Sequence, residues 1–181
     1  KASGLDPSVY LTGLISLDRS NGDALKMLAV ALIEQGQAER AVPYLMQLDK
    51  FNLRIYGLLL QDGKILITDE LRGGTKMTKF PGGGLEFHET FEECLYREFM
   101  EEMDQPINVL EYFFHNENIQ PSAFKTNERL ISFYYFVELK GRKNFETVEQ
   151  PFQFKNDEVQ CFRWLEIDKI SVDDLTYPID K

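Results

Sequence analysis

The stretch "PGGGLEFHETFEECLYREFMEEMD", residues 81–104, joins a run of glycines to a segment crowded with glutamates. Six of these glutamates fall within fourteen residues, in a chain whose formal net charge is already −10. Thr90 followed three residues later by Glu93 is a capping-box pattern, which predicts that a helix begins at Thr90. Because Pro106 cannot continue a helix, we expect this one to end near Met103. The stretch therefore predicts an acidic helix behind a glycine-rich loop.

The acidic residues of this helix share one face. At about 100° per residue, Glu98, Glu101 and Glu102 fall within an arc of roughly 100°. Like charges at these spacings cost roughly a few tenths of a kcal/mol per pair, and Arg97 is the only base between residues 90 and 103. Carboxylate oxygens are the ligands that Mg²⁺ and Mn²⁺ prefer. The stripe therefore predicts a divalent-cation site, the alternative being a solvated helix face.

The spacing of the charged residues resembles a known motif, the Nudix box. That box is written G-x5-E-x7-R-E-U-x-E-E-x-G-U, where U is a bulky aliphatic residue. The first glycine of the box is matched by Gly83. Every charged position is also matched, by Glu89, Arg97, Glu98, Glu101 and Glu102. On this resemblance, residues 51–181 are identified as a member of the Nudix hydrolase family.

Three positions depart from the box, and all concern the shape of the helix or its end. Phe99 is aromatic where an aliphatic residue is usual, Asp104 stands at the place of the glycine, and Gln105 at that of the last apolar residue. The glycine normally ends the helix in the left-handed conformation, which Asp tolerates at a modest cost. We expect these changes to affect stability and local shape and to leave the carboxylate stripe intact.

The resemblance implies a hydrolase that cuts a pyrophosphate bond in a nucleoside diphosphate linked to another group. Water attacks at phosphorus, with Mg²⁺ or Mn²⁺ as the cofactor. Bound divalent cations reverse the field of an acidic site, bridge phosphate oxygens and lower the pKa of bound water. The alternative is a nucleotide-binding sensor of Nudix type, or a helical-repeat adaptor, without turnover. The complete set of box glutamates favours catalysis.

The resemblance also implies roles for residues of the box and the loop. Glu89 and Arg97 would form an internal ion pair that orients the carboxylates. One of the glutamates would also serve as the general base, and which one stays open. The implied metal ligands are the carbonyl of Gly82 and the side chains of Glu98, Glu101 and Glu102.

Three residues outside the box are further candidates. Glu158 lies six residues before Trp164, a place where the family often carries another glutamate. It is a candidate metal ligand or base, and the alternative is an ordinary charge at a strand edge. Lys76 and Lys79, near the glycine loop, are candidates for contacts with substrate phosphates. Nucleoside triphosphates, ADP-ribose, nucleotide sugars and dinucleotides all fit the predicted reaction.

Outside the acidic helix, residues 51–181 read mainly as strands. Two apolar runs flank an Asp-Gly turn at residues 62–63 and predict a hairpin. Residues 71–84 read as a loop because of their glycines and proline. Together with the resemblance, these elements predict an α/β fold, a Nudix-like α/β/α sandwich with a mixed sheet. Further strands are expected at residues 107–117, 129–139 and 158–167, and a short helix at 168–175.

Residues 1–50 predict a short helical hairpin that precedes this domain. Ala24–Gln35 and Gln37–Asp49 are apolar-periodic segments joined at Gly36. "VYLTGL" (9–14) and "PYLMQL" (43–48) lie 34 residues apart, which resembles a tetratricopeptide repeat. The alternative is a plain hairpin. One and a half repeats do not bury a core alone, so we expect the segment to dock on residues 51–181, to pair with another chain as a homodimer or with a protein partner, or to be the end of a longer array.

Composition limits the partners and the compartment. An acidic chain without a dense basic cluster should repel nucleic-acid phosphates, so DNA is not an expected partner. Cys94 and Cys161 lie too far apart for a disulfide framework, which predicts a reducing, cytoplasmic location. The longest apolar runs are too short to span a bilayer, so no membrane association is expected. Because the first residue is Lys1, we expect a fragment or a processed form.

Overall fold

The computed structural model describes residues 7–17, 21–117 and 119–177. The chain divides into two compact units. One unit consists of Lys1–Phe51 and Pro121–Arg129, and the other of Asn52–Gln120 and Leu130–Lys181. The segment 121–129 thus groups with the N-terminal residues, and the proposed domain boundary at residues 50 and 51 stays a prediction.

In the described residues of the N-terminal unit, 7–17 and 21–51, the helices are α1 (Pro7–Leu17), α2 (Gly22–Glu34) and α3 (Ala38–Leu45). Asn21 caps α2, because its Oδ1 accepts a hydrogen bond of 3.0 Å from the backbone N–H of Ala24. The predicted pair of helical segments is present, but α3 is shorter than predicted. After Leu45 the chain continues in tighter i→i+3 turns up to Leu48. The core of this unit is formed by Leu11, Ile15, Ala24, Leu25, Leu28, Ala29, Leu32 and Ala41.

Among the described residues the strands are β1 (Lys50–Gln61), β2 (Lys64–Arg72), β3 (Thr75–Lys79), β4 (Gly82–Gly84), β5 (Ile107–His115), β6 (Gln120–Pro121), β7 (Glu128–Leu139) and β8 (Gln160–Glu166). They form one sheet, in which five strands follow the order β3-β2-β1-β7-β5, while β4 pairs with β1 and β8 with β2. The predicted hairpin is present, since β1 and β2 are antiparallel and flank Asp62 and Gly63. Both turn residues have positive φ (51° and 73°), as a type I′ turn requires.

The expectation of a loop over residues 71–84 was wrong, because this stretch contains β3 and β4. Gly73 and Gly74, at φ 56° and 81°, form a two-residue turn that pairs β3 antiparallel with β2. Gly82, at φ 129°, lets β4 run beside β1, and a Cβ there would lie 2.2 Å from the carbonyl oxygen of Ile55. The glycines therefore make a hairpin turn and a close strand contact.

The acidic helix, α4, extends over Phe91–Met103, as the sequence predicts. Thr90 forms the capping box, with Thr90 N–H donating to Glu93 at 2.8 Å and Glu93 N–H donating to Thr90 Oγ1 at 3.2 Å. The helix ends at Asp104, which adopts the left-handed conformation at φ 50°. Gln105 is fully buried, and its side chain bonds the backbone of Pro106 and Asn144, at 2.9 and 2.8 Å. A polar residue therefore fits this place because it anchors the backbone at residue 144.

Both faces of the sheet are covered, by α4 on one face and by the residue that follows a 3-10 helix on the other, and this arrangement matches the predicted α/β/α sandwich. On one face, α4 buries Cys94, Leu95, Phe99 and Met103 against Ile55, Leu59, Leu66, Val137 and Phe162. On the other face, Leu175 packs against Tyr56, Leu58, Ile65, Ile67, Phe80 and Tyr134. Leu175 follows a 3-10 helix (Val172–Asp174), where a short helix over 168–175 was predicted. Among the described residues, no helix is long and apolar enough to cross a membrane.

Candidate functional site

The glycine loop, which consists of strand β4 (Gly82–Gly84) and the turn that follows it, meets α4 at Glu98, whose side chain is only 14% exposed. A Cβ on Gly83 would lie 2.1 Å from Glu98 Oε1. Only glycine therefore allows this carboxylate to rest against the backbone of the loop. Gly83 and Glu98, fifteen positions apart in the sequence, are therefore in direct contact.

Arg97 is the centre of a carboxylate network. Its Nε and Nη2 donate to the two oxygens of Glu89 at 2.9 and 2.7 Å, which is a bidentate pair. Its Nη1 donates to Glu98 at 2.9 Å and to Glu101 at 3.2 Å, and Nη2 also donates to the carbonyl of Gly84 at 3.0 Å. The guanidinium thus ties the loop to two carboxylates of the helix.

The Arg97 pair makes Glu89 a source of pH-dependent stability. Its hydrogen bonds with Arg97 lower the Glu89 pKa from 4.5 to about 2. Because the folded-state pKa lies below the unfolded one, this contribution is complete above pH 4.5 and is lost as the pH falls toward 2. We expect the free energy of unfolding to fall less over this window in Glu89→Gln than in the wild type. Urea unfolding at a series of pH values measures this difference.

The control for this prediction is Glu92→Gln, which removes one exposed carboxylate from the same helix. Its pH dependence should follow that of the wild type. Equal pH dependence of Glu89→Gln and Glu92→Gln would contradict the assigned role of the Arg97 pair.

Glu102 points to the interior, and its side chain is 14% exposed. Its Oε2 is buried and has no hydrogen-bond partner among the described residues. Burial raises the pKa of this carboxyl, and the charge of Lys79 and the side chain of Gln160 only partly oppose that effect. A buried carboxylate oxygen without a partner is costly, so this position has capacity for a cation.

Lys79 lies against the same carboxylate. Its ammonium donates to the carbonyl of Gly82 at 2.7 Å and pairs with Glu70 at 2.8 Å and with Glu102 at 3.5 Å. Burial alone would lower the Lys79 pKa, but Glu102, Tyr56 and Glu70 together raise it above its ordinary value. The ammonium is therefore charged; its hydrogen-bond partners are oxygens, and it also lies 5.7 Å from the ring centroid of Tyr56.

The remaining predicted residues lie in different surroundings. Glu101 is 62% exposed and contacts Arg97. Glu158 is exposed and lines a pocket of about 440 Å³ that Glu102 also lines. Lys76 is exposed, with its ammonium 5.1 Å from the ring centroid of Phe152. Glu158 and Glu102 thus line one pocket, while Glu101 faces solvent and Lys76 faces an aromatic ring.

The three carboxylates of the stripe do not converge as a finished metal centre. Within residues 7–17, 21–117 and 119–177, no three His, Cys, Asp or Glu side chains are grouped so that they could hold a metal ion. The local chemistry nevertheless fits Mg²⁺ or Mn²⁺, which take oxygen ligands. Glu102 carries an unpartnered buried oxygen, and the Gly82 carbonyl already accepts from a cationic group.

Sequence reasoning missed two residues beside this site, Glu70 and Arg54. Glu70 lies on β2 and pairs with Lys79. Arg54 lies on β1 opposite Gly84, and its Nε donates to the Tyr56 hydroxyl at 3.2 Å. Burial would lower the Arg54 pKa, but Tyr56 and the carboxylates of Glu98 and Glu70 raise it overall. The one available signal was an isolated arginine inside the apolar run "LRIYGLLL" (53–60).

Comparison with known proteins gives a sequence match and a structural likeness. Residues 51–181 match the sequence model of the NUDIX domain. No curated protein matches the chain. A NUDIX hydrolase from Nitrosomonas europaea is similar in structure, with a TM-score of 0.55 and 20% identity over 72% of this chain and 84% of that one. A MutT NUDIX hydrolase from Burkholderia pseudomallei has a TM-score of 0.52 and 18% identity over 72% and 94%. At 20% and 18% identity, these structural similarities show that the chain shares the fold of these proteins.

Proposed function

The chain belongs to the NUDIX domain family, and we propose that it cleaves a pyrophosphate bond in a nucleoside diphosphate linked to another group. Family membership confirms the predicted enzyme class, a Nudix-type pyrophosphohydrolase. We further propose which bond is cleaved, that water attacks at phosphorus, and that the reaction needs a divalent metal ion. The observation that carries it is the buried, unpartnered Oε2 of Glu102 beside the Arg97 network.

The proposed metal ligands are oxygens of the glycine loop and of α4. Glu102 and the Gly82 carbonyl would hold Mg²⁺ or Mn²⁺, and Glu98 and Glu101 would complete the set. When bound, such an ion supplies positive charge to the phosphate oxygens of the substrate. Arg97 bonds the Glu98 and Glu101 carboxylates and the Gly84 carbonyl, so it restrains both side chains, with Glu101 on the solvent-exposed side.

Glu158 is the proposed general base. It is exposed and lines the same pocket as Glu102, so it can accept a proton from a water that attacks phosphorus next to the metal ligands. The new oxygen–phosphorus bond forms as the bond to the leaving phosphate oxygen breaks. The leaving group departs with the electron pair of that bond.

Arg54 is the cationic side chain that we propose for binding substrate phosphate. Its Nη1 lies 3.5 Å from the point where a Cβ of Gly84 would stand, so the guanidinium reaches the loop. A guanidinium binds phosphate oxygens through parallel N–H donors. Lys76 stays a second proposed contact, whereas the ammonium of Lys79 is occupied by Gly82 and two glutamates.

Three further proposals concern the surroundings of the enzyme. Cys94 and Cys161 are buried free thiols, which supports a reducing, cytoplasmic location. The partner of the catalytic unit is a small nucleotide-type molecule, with no DNA and no membrane. Residues 1–50 are proposed to contribute a homodimer interface or a site for a protein partner.

Phosphorus NMR of the wild-type chain tests the proposed reaction. The panel holds a nucleoside triphosphate, ADP-ribose, a nucleotide sugar and a dinucleotide, each with excess Mg²⁺ and each with a chelator. We expect cleavage of at least one compound with Mg²⁺ and none with the chelator. Turnover in ¹⁸O-labelled water should place the label on a phosphate product, as attack at phosphorus requires.

Two results would contradict this proposal. Cleavage that persists in the chelator would exclude a divalent metal, and label on a free sugar released from the nucleotide sugar would show attack at carbon instead of phosphorus. Binding of a panel compound without cleavage would favour the sensor alternative.

A further inference from the structure

The ammonium of Lys79 is surrounded by three oxygens. It lies 2.7 Å from the Gly82 carbonyl, 2.8 Å from Glu70 Oε1 and 3.5 Å from Glu102 Oε1. An ammonium has three N–H donors and no acceptor, so these contacts account for all its donors. The side chain is only 7% exposed.

The two carboxylates around this ammonium are themselves nearly enclosed. The Glu70 side chain is 17% exposed and that of Glu102 is 14% exposed. Two buried carboxylates close together repel each other and need a positive charge between them. Lys79 supplies that charge from its place on β3, next to the loop that carries Gly82.

A carbonyl and carboxylates are also the oxygen ligands that a hard divalent cation takes. We infer that Lys79 occupies one cation position of the site, so that the site binds one divalent ion fewer than its oxygens would otherwise hold. This inference rests on the proposed metal site. Lys79 is a positioning residue here, since it holds Gly82 and Glu102 in place and does not touch the reacting atoms.

Removal of the ammonium should open this position to a metal ion. In Lys79→Met, Glu70 and Glu102 lose their shared positive charge while the Gly82 carbonyl loses its donor. A divalent ion would restore the positive charge between the two carboxylates and would take the Gly82 carbonyl as a ligand. In Lys79→Arg a charged donor remains, so the position should stay closed.

The test counts bound Mn²⁺ in the absence of any nucleotide, from the electron paramagnetic resonance signal of the free ion. We expect Lys79→Met to bind one Mn²⁺ per chain more than the wild type. Lys79→Arg should match the wild type. Lys64→Met is the matched control, because it removes one exposed positive charge from the same sheet, and it should also match the wild type.

A second variant and a second readout cover the case in which Lys79→Met does not fold without metal. Lys79→Gln removes the charge but keeps an amide donor, and it should gain the same additional Mn²⁺. Mn²⁺ should raise the Tm of both neutral variants by more than it raises the wild-type Tm.

The inference is overturned if the neutral variants bind as many Mn²⁺ ions as the wild type or fewer. The absence of bound Mn²⁺ in all of the proteins would overturn it as well. It is also overturned if Lys64→Met gains the same ion, because the gain would then follow net charge. Failure of the proposed reaction would show as absent cleavage in the phosphorus NMR panel and would leave these Mn²⁺ counts unchanged.

Discussion

Replacement of Glu102 by Gln is expected to lower kcat for pyrophosphate hydrolysis about a thousandfold, since a metal ion contributes several kcal/mol and each 1.36 kcal/mol is tenfold in rate. The amide keeps the shape of the side chain but removes the negative charge. Its Oε2 position is the buried one without a partner, so the loss falls on the proposed cation site. Initial rates at increasing Mg²⁺ concentration measure this effect.

The dependence on Mg²⁺ separates a metal ligand from a residue that only supports the fold. Glu102→Gln should need a higher Mg²⁺ concentration for half-maximal rate, whereas its circular dichroism spectrum should match that of the wild type. Glu92→Gln, which removes an exposed carboxylate from the same helix, should keep the wild-type rate within about twofold. A folded Glu102→Gln with a rate within tenfold of the wild type would contradict its role as a ligand.

The helix cap, the hairpin turn and the contact within the box could be predicted, because each depends on residues that lie close together in the sequence. The start of α4 was predicted correctly because its cap lies within one turn, in Thr90 and Glu93. The pair of Glu89 and Arg97, which the resemblance to the Nudix box implied, is present as a bidentate contact. The hairpin turn at Asp62 and Gly63 is likewise a two-residue signal.

Features that depend on strand pairing could not be predicted in this way. Glu70 reaches Lys79 only because β2 pairs with β3 in a register that a two-glycine turn sets. Arg54 reaches the loop only because β1 pairs with β4. Lys79 is buried on β3, which pairs with β2. From the sequence alone, its position near the glycines had suggested an accessible side chain that contacts substrate phosphate. The positions of these charged groups relative to the predicted ligands could therefore be found only once the pairing of the strands was known.

The departure of Phe99 from the family pattern has a structural counterpart in Gly57 on β1. Phe99 is fully buried, and a Cβ on Gly57 would lie 2.7 Å from its Cε2, 2.9 Å from its Cζ and 3.2 Å from Val137 Cγ2. The aromatic ring thus fills space that only a glycine leaves open. A side chain on β1 and a ring on α4 cannot both occupy this volume.

We expect Gly57→Ala to lower the free energy of unfolding by about 1–3 kcal/mol, because the extra methyl displaces a packed ring. Phe99→Leu alone should lower it by roughly 1–2 kcal/mol through lost apolar burial. The double variant should lose less than the sum of the two, since the smaller side chain makes room for the methyl. We expect a coupling energy of at least about 1 kcal/mol, measured by urea unfolding of all four proteins.

The control is Gly13→Ala in α1, where a Cβ would meet no atom within 4 Å. Alanine favours a helix interior by about 1 kcal/mol over glycine, so this variant should be no less stable than the wild type. If Gly57→Ala is equally harmless, or if the Gly57 and Phe99 effects simply add, the two residues do not compete for one volume. The aromatic residue in the box would then have a cause other than the glycine on β1.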